Sequence, residues 1–241
     1  MLDISIVLPT YNEKKNISIL IPQLEDILKR KGLKGEILVV DDSSPDGTAL
    51  VAKELNKKYG NIQVIIRPKK EGIGAALREG YNTAQGKLIF SMDTDLSFDP
   101  NIMPKILKRL GEGYDLIVGN RYSSKEDYEA KTINVKAKRF VSRFGNKFLR
   151  FITGIDIHDF STNFRGMKRK VWQKIKTREK TNSLLFEMIV LTDYHGFKVG
   201  EQSIVFKDRI YGESKLNLAK EAPKFLLKAL SLSLRSRLKG V

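Results

Sequence analysis

The sequence has no cysteine. Disulfide frameworks, thiolate-bound zinc, iron–sulfur clusters and thiol nucleophiles are therefore excluded. Only two histidines occur, His158 and His195, too few for a multi-histidine metal centre and a thin supply for a serine–histidine triad. Acids are outnumbered by bases: 28 Asp and Glu against 44 Lys and Arg leave a net charge of +16 over 241 residues. That excess points to an anionic partner, whether nucleic acid, an anionic membrane or phosphorylated small molecules. No run approaches the roughly 18 apolar residues that cross a bilayer, and neither an internal repeat nor a Gly/Ser linker is present. The opening residues, MLDISIVLPTYNE, lack the basic segment of a secretory leader, so a cytoplasmic location is expected.

What is present is an alternation of strand and helix signals. Short β-branched runs at 4–8, 36–40, 61–66, 87–92 and 115–118 read as strands, and apolar residues at helical spacing cover 16–31, 47–59, 73–84 and 100–110. Strands rich in Val, Ile and Leu at this spacing predict an α/β fold, a mostly parallel sheet flanked by helices on both faces, with ligands bound outside the carboxyl ends of the strands. Pro9 is expected to end the first strand. The second half is less regular: a polar loop at 123–132, a basic amphipathic helix at 134–152, a helix at 183–194 and a strand at 197–206. A helical arm from 218 to 238 carries Ala222, Phe225, Leu226, Ala229, Leu230 and Leu234 along one stripe.

The sharpest chemical signal is Asp93-Thr94-Asp95 directly after LIFSM. Two carboxylates one residue apart at a strand end suit a hard cation such as Mg²⁺ or Mn²⁺, which prefers oxygen ligands and shares them with substrate phosphates. Ser97 and Asp99 are further oxygen donors, and Asp99 before Pro100 is equally a helix N-cap. The segment Asp41-Asp42-Ser43-Ser44-Pro45-Asp46-Gly47 suits hydrogen bonding to a base or ribose. Adjacent Asp41 and Asp42 repel and call for a donor-rich or cationic partner, whereas Asp46 and Gly47 are ordinary turn chemistry. In Pro9-Thr10-Tyr11-Asn12-Glu13 the Tyr11 ring offers a flat face to a base. Lys69–Gly74 has the glycines of a phosphate loop without the lysine–hydroxyl order of a P-loop, and close backbone approach is the alternative reason for Gly72 and Gly74. Arg121, Arg165 and Arg209 carry guanidinium forks that match phosphate oxygens. Lys138, Arg139 and Arg143 extend that charge along the basic helix. Each of these alone reads first as a solvated surface charge. Trp172, Phe148, Phe151, Phe186 and Phe225 read as core or membrane-facing aromatics, not as a base-stacking platform.

Taken together, PTYNE, VVDDSSPDGT, GIGAALREG, DTDLS, GNRY, DFSTNFR, FEMIV and DRIYGESKL resemble the family-2 glycosyltransferases, over about residues 4–217, and within them the polyprenyl-phosphate branch. The resemblance implies a GT-A fold, a Rossmann-like sheet, for a catalytic domain at 1–217, followed by an amphipathic membrane-surface helix at 218–241. It implies transfer of mannose from GDP-mannose to dolichyl or other polyprenyl phosphate. Pro9, Tyr11, Glu13 and Asp41 would hold the guanosine, with Asp42 and Gly72 completing the donor site. Asp93 and Asp95, with Ser97, would bind Mg²⁺ or Mn²⁺. Arg209 and Lys215 would meet phosphate. Arg121, Lys138, Arg139, Ser142 and Ser214 would receive the acceptor, and Asp159 or Glu187 would orient sugar hydroxyls. Where the family has Gly-Ser-Phe, this chain has Thr162-Asn163-Phe164. The implied setting is the cytoplasmic face of an anionic membrane, with room for a membrane-anchored partner subunit. Two other readings compete. A nucleic-acid-binding module accounts for the charge but leaves the acidic pairs unexplained, so nucleic acid is not expected as a partner. A related transferase using UDP-glucose shares every motif.

Overall fold

A computed structural model of the chain describes residues 1–123 and 142–207 with their side chains, and the backbone alone of 128–129 and 133–141. The proposed arm at 218–241, together with Arg209, Ser214 and Lys215, lies outside the described residues, as do the side chains of Lys138 and Arg139.

The chain alternates strand and helix: β1 (Ile4–Thr10), α1 (Lys14–Arg30), β2 (Gly35–Asp41), α2 (Thr48–Tyr59), β3 (Ile62–Ile66), α3 (Ile73–Thr83) and β4 (Leu88–Ser91). A short 3₁₀ turn leads into α4 (Met103–Gly111), then come β5 (Leu116–Asn120), β6 (Tyr128–Glu129), α5 (Ile133–Thr153), β7 (Arg165–Lys168), α6 (Arg169–Lys174), α7 (Ser183–Tyr194), β8 (Val199–Ser203) and β9 (Phe206–Lys207). Seven strands form one sheet in the order β3-β2-β1-β4-β7-β5-β8, and β6 pairs separately with β9. All neighbours in the main sheet are parallel except β7, which runs antiparallel between β4 and β5.

The period-2 alternation of the strands explains the layering. Val7, Leu38, Val40, Leu116 and Val118 face a core built with α3, α6 and α7. Ile4, Ile6, Leu8, Ile37, Val39 and Ile117 face the opposite core against α1, α2 and α4. Strands buried on both faces need apolar residues at every position, which is why they read as unbroken runs.

Pro9 does not end β1. It pairs in register with Val40 inside the strand. The Thr10 carbonyl accepts from the Asp42 N–H, so Thr10 bonds toward β2 and, by alternation, Pro9 faces the β4 side. There the ladder already stops at Val7 and Ser91, and the missing N–H costs nothing. The predicted strand at 197–206 divides into β8 and β9, and β7 is an addition that the hydrophobic pattern did not signal.

Candidate active site at the carboxyl edge of the sheet

The loops after β1 and β2 are laced together. The Asp46 carboxylate accepts from the N–H groups of Lys14 and Thr48 at 3.1 and 2.9 Å, so one side chain serves the first turns of both α1 and α2. Burial opposes its ionisation, but the bonds from Thr48 and Lys14 win and hold the carboxyl below its usual range. The Asn12 N–H donates to Ser44 Oγ at 2.9 Å and the Glu13 N–H to Thr48 Oγ1 at 3.0 Å. Asn12 takes φ 60°, a left-handed turn that asparagine tolerates.

The two adjacent aspartates solve their repulsion differently. Asp41 accepts from Thr10 Oγ1 at 2.9 Å, the Ser44 N–H at 2.8 Å and Ser44 Oγ at 2.5 Å. Asp42 meets Arg67, whose guanidinium also reaches Glu71 at 2.7 Å and Glu79 at 3.1 Å. Burial pushes the Asp42 carboxyl up, against the pull of the Arg67 charge and of the Gly72 N–H. Lys180 beside Glu71 holds that carboxyl low. Lys70 Nζ sits 3.6 Å from the centre of the Tyr11 ring, a cation–π contact on the ring that the sequence offers to a base.

Gly74 has a structural reason. A Cβ there would stand 2.3 Å from the Thr181 carbonyl oxygen, and the Ala75 N–H donates to the Lys180 carbonyl at 2.9 Å. Close backbone approach, not a phosphate cradle, explains that glycine.

Past β4, the turn at 93–99 carries the carboxylate pair. Asp95 and Ser97 are buried and Asp93 is half-buried. The Ser97 N–H donates to Asp95 Oδ1 at 3.1 Å, while Ser97 Oγ is buried with no hydrogen-bond partner. An orphaned hydroxyl beside a carboxylate pair is the donor set a hard cation takes, since leaving such a group unpaired costs about 1–3 kcal/mol. Among the described residues, no group of three or more His, Asp or Glu could hold a metal. Asp99 instead caps the 3₁₀ turn, accepting from the Asn101 N–H at 2.9 Å.

The lead into β7 brings the second half of the chain to this edge, because an antiparallel strand begins where its parallel neighbours end. Asn163 Nδ2 donates to Asp93 Oδ1 at 3.1 Å. Arg165 is not a surface phosphate ligand. It is 1% exposed, donates to the carbonyls of Thr162 and Leu185, and burial brings its pKa down to about 10 against the pull of Tyr81, Asp159 and Asp93. Asp159 and Arg121, read from the sequence as separate ligands for sugar and acceptor, are each other's partners: Arg121 Nε and Nη2 lie 2.6 and 2.9 Å from the Asp159 oxygens. Glu187 accepts from the N–H groups of Arg178 and Glu179 at 3.0 and 3.1 Å, and burial pushes its carboxyl up against those bonds. Ser142 accepts from the Tyr122 hydroxyl at 2.7 Å.

His158 is held between Glu201 and Arg150, and His195 follows α7 as its C-cap. Arg67, Asn163, Ser91 and Glu201 went unassigned in the sequence. Glu201 accepts from Asn120 Nδ2 and from the N–H groups of His158 and Asp159, tying β8 to the 158–159 segment. Arg67 left a trace as a lone cation ending an apolar strand, and Asn163 as a departure from the family's Gly-Ser-Phe.

Known proteins resemble this chain in sequence and in fold. The chain is 32% identical to the dolichol-phosphate mannosyltransferase of Pyrococcus furiosus, matching 88% of this chain and 59% of that protein. It is also 32% identical to the polyprenol monophosphomannose synthase of Mycolicibacterium smegmatis, over 88% of this chain and 80% of that one. The chain thus spans somewhat under two thirds of the Pyrococcus protein. Among solved structures, mannosyl-3-phosphoglycerate synthase from Rubrobacter xylanophilus superposes with TM-score 0.69 at 19% identity, over 99% of this chain and 75% of that one. Glucosyl-3-phosphoglycerate synthase from Mycobacterium tuberculosis, in complex with Mn²⁺, uridine diphosphate and glucosyl-3-phosphoglycerate, superposes with TM-score 0.65 at 17% identity, over 98% and 80%. These likenesses show the GT-A-like fold. The family described as glycosyl transferase family 2 matches residues 5–176, and the chain belongs to that family.

Proposed function

We propose that the protein transfers a mannosyl group from GDP-mannose to a polyprenyl monophosphate such as dolichyl phosphate, with inversion at the anomeric carbon. The observation that carries the reading is the Asp93–Asp95 turn at the carboxyl end of β4, with the buried, unpartnered Ser97 hydroxyl in the same turn. Asp93, Asp95 and Ser97 would hold Mg²⁺ or Mn²⁺, the M. tuberculosis neighbour being a complex with Mn²⁺. When bound, the cation offsets negative charge on the departing diphosphate. The loops after β1 and β2, with Tyr11, Glu13, Asp41 and Asp42, would orient the nucleoside, and Gly72 the loop beside it. The acceptor oxygen is a phosphate oxygen with a second pKa near 6, largely ionised at neutral pH, so no strong general base is required. The Arg121–Asp159 pair would place a fixed cationic edge toward that anion, and Arg209, Ser214 and Lys215 are proposed to complete the phosphate contacts. Catalytic roles for Asp95 and Arg209 follow from the same reading.

A membrane-surface location is part of the proposal. On α5, Phe144 and Phe151 are 70% and 83% exposed, seven residues apart and so on one face, with Arg143, Lys147 and Arg150 nearby. Exposed aromatics set among cations suit the interface of an anionic bilayer. Among the described residues no helix is long and apolar enough to cross a membrane. We propose peripheral attachment at the cytoplasmic face, aided by the 218–241 arm or by an anchored partner subunit.

The test is transfer from labelled GDP-mannose to dolichyl phosphate, alongside calorimetric titration of GDP and UDP with Mn²⁺ present. The expected result is mannosyl transfer, tighter GDP binding and loss of activity in Asp95→Ala. Near wild-type turnover of that variant with added Mn²⁺ overturns the metal assignment, and tighter UDP binding overturns the donor.

A further inference from the structure

Behind the Asp93 carboxylate runs a file of neutral hydrogen-bonding groups that the transfer reaction does not itself require. The Tyr81 hydroxyl on α3 lies 2.7 Å from Ser91 Oγ at the end of β4. Ser91 Oγ donates to Asn163 Oδ1 at 2.9 Å and lies 3.2 Å from the Asn163 carbonyl. Asn163 Nδ2 in turn donates to Asp93 Oδ1 at 3.1 Å. Tyr81, Ser91 and Asn163 are each 1% exposed.

Proton counting fixes the direction of the file. Ser91 has a single O–H, and that proton is committed to Asn163. Tyr81 must therefore be the donor to Ser91. With its Oδ1 engaged, the Asn163 carboxamide has one orientation left, NH₂ toward Asp93. Every bond in the file points at the carboxylate, the arrangement in which successive hydrogen bonds strengthen one another. Burial pushes the Tyr81 phenol up to about 12, so the first donor keeps its proton throughout the neutral range.

We propose that Asn163 is a positioning residue for Asp93: its carboxamide, aimed by Ser91 and Tyr81, fixes the rotamer in which that carboxylate meets the divalent cation. The inference rests on the reading of Asp93 as a cation ligand. A metal-ligating carboxylate whose outer hydrogen bond is removed typically loses about ten- to a hundredfold in metal affinity.

The experiment measures Mn²⁺ uptake by the full chain saturated with GDP, using the paramagnetic resonance of free Mn²⁺, and separately measures GDP affinity without metal. Asn163→Asp keeps the side-chain shape and replaces the donor with an acceptor. It should weaken Mn²⁺ binding by about ten- to a hundredfold and leave metal-free GDP affinity unchanged. Ser91→Ala, one bond further back, should show a smaller loss in the same direction. If the wild-type chain takes up no Mn²⁺ with GDP, the cation-site reading fails and this inference with it. If the wild type binds Mn²⁺ and Asn163→Asp binds it equally well, the positioning role alone is overturned. Equal losses of Mn²⁺ and metal-free GDP affinity mean general damage and overturn it too. Should Asn163→Asp not fold, Ser91→Ala decides: unchanged Mn²⁺ affinity there overturns the inference.

Discussion

Replacing Arg67 with methionine keeps the aliphatic stem and removes the one cation that faces Asp42 among the described residues. Side-chain exposure is 4% for Arg67 and 6% for Asp42, so the carboxylate left behind has little access to water. Removing one partner of such a buried pair costs about 3–5 kcal/mol, because the remaining charge stays desolvated. Glu71 and Glu79 are 32% and 46% exposed and can turn to solvent, so their contribution is screened and small. We expect Arg67→Met to lose about 3–4 kcal/mol, which for a chain of this size lowers the melting temperature by about 6–16 °C. The variant carries a signature in pH. A carboxyl whose folded pKa is raised favours the fold below its unfolded value, near 4, and the benefit disappears as pH rises through the folded pKa. Asp42 is already raised with Arg67 in place, and without it the rise is larger. The stability gap between variant and wild type should therefore narrow as pH falls from 7 toward 4, and adding Asp42→Asn should close most of it at pH 7. Thermal and urea denaturation at several pH values checks this. A loss below about 1 kcal/mol, or a gap that ignores both pH and Asp42→Asn, refutes the account of Arg67 as counter-ion.

Two further outcomes are expected. In Gly80→Ala the new Cβ would stand 2.3 Å from Val7 Cγ1 and 3.1 Å from Val40 Cγ2. Overpacking of about 1–3 kcal/mol should outweigh the helix propensity that alanine adds, and Val7→Ala should recover part of the loss in urea melts. The double substitution Phe144→Ser and Phe151→Ser removes two exposed rings, so the melting temperature should move little while sedimentation with vesicles containing anionic lipid drops several-fold. Unchanged vesicle binding would remove α5 from the membrane contact.

The sheet was legible in the sequence wherever a strand is buried on both faces. β1, β2, β4 and β5 are near-continuous apolar runs, and α1 and α3 show the helical stripe of a surface helix. β7 was not legible: its residues, Arg-Gly-Met-Lys, carry no β-branched side chain and two cations. It is a strand because of what surrounds it. A Cβ on Gly166 would come within 2.6 Å of Ile106 Cγ2, so the bare backbone lets α4 close over the sheet, and Arg165 gains its Leu185 carbonyl partner only once α7 has docked.

The candidate site divides in the same way. Asp93, Asp95, Asp41 and Asp42 were visible because paired carboxylates at strand ends are a local pattern. The partners of Asp42 and Asp93 were not, because Arg67 reaches Asp42 across 25 residues and Asn163 reaches Asp93 across 70, and no spacing rule spans such distances. Arg121 and Asp159 were each noticed, but as separate ligands. Opposite charges read one at a time show only what each could offer a substrate, and the fold adds that Arg121 and Asp159 also bind one another.

The antiparallel β7 has a consequence for how the protein is made. β4 and β5 are not paired with each other; each bonds a different side of a strand that arrives more than forty residues after β5 begins. During synthesis both therefore present an unpaired edge where β7 later inserts. The ribosome must deliver residues 165–168 before that slot can close, and loop-closure entropy makes so distant a pairing slow. Asn163 lies just ahead of β7, so a chain halted before residue 163 lacks both a finished sheet and the asparagine that grips Asp93.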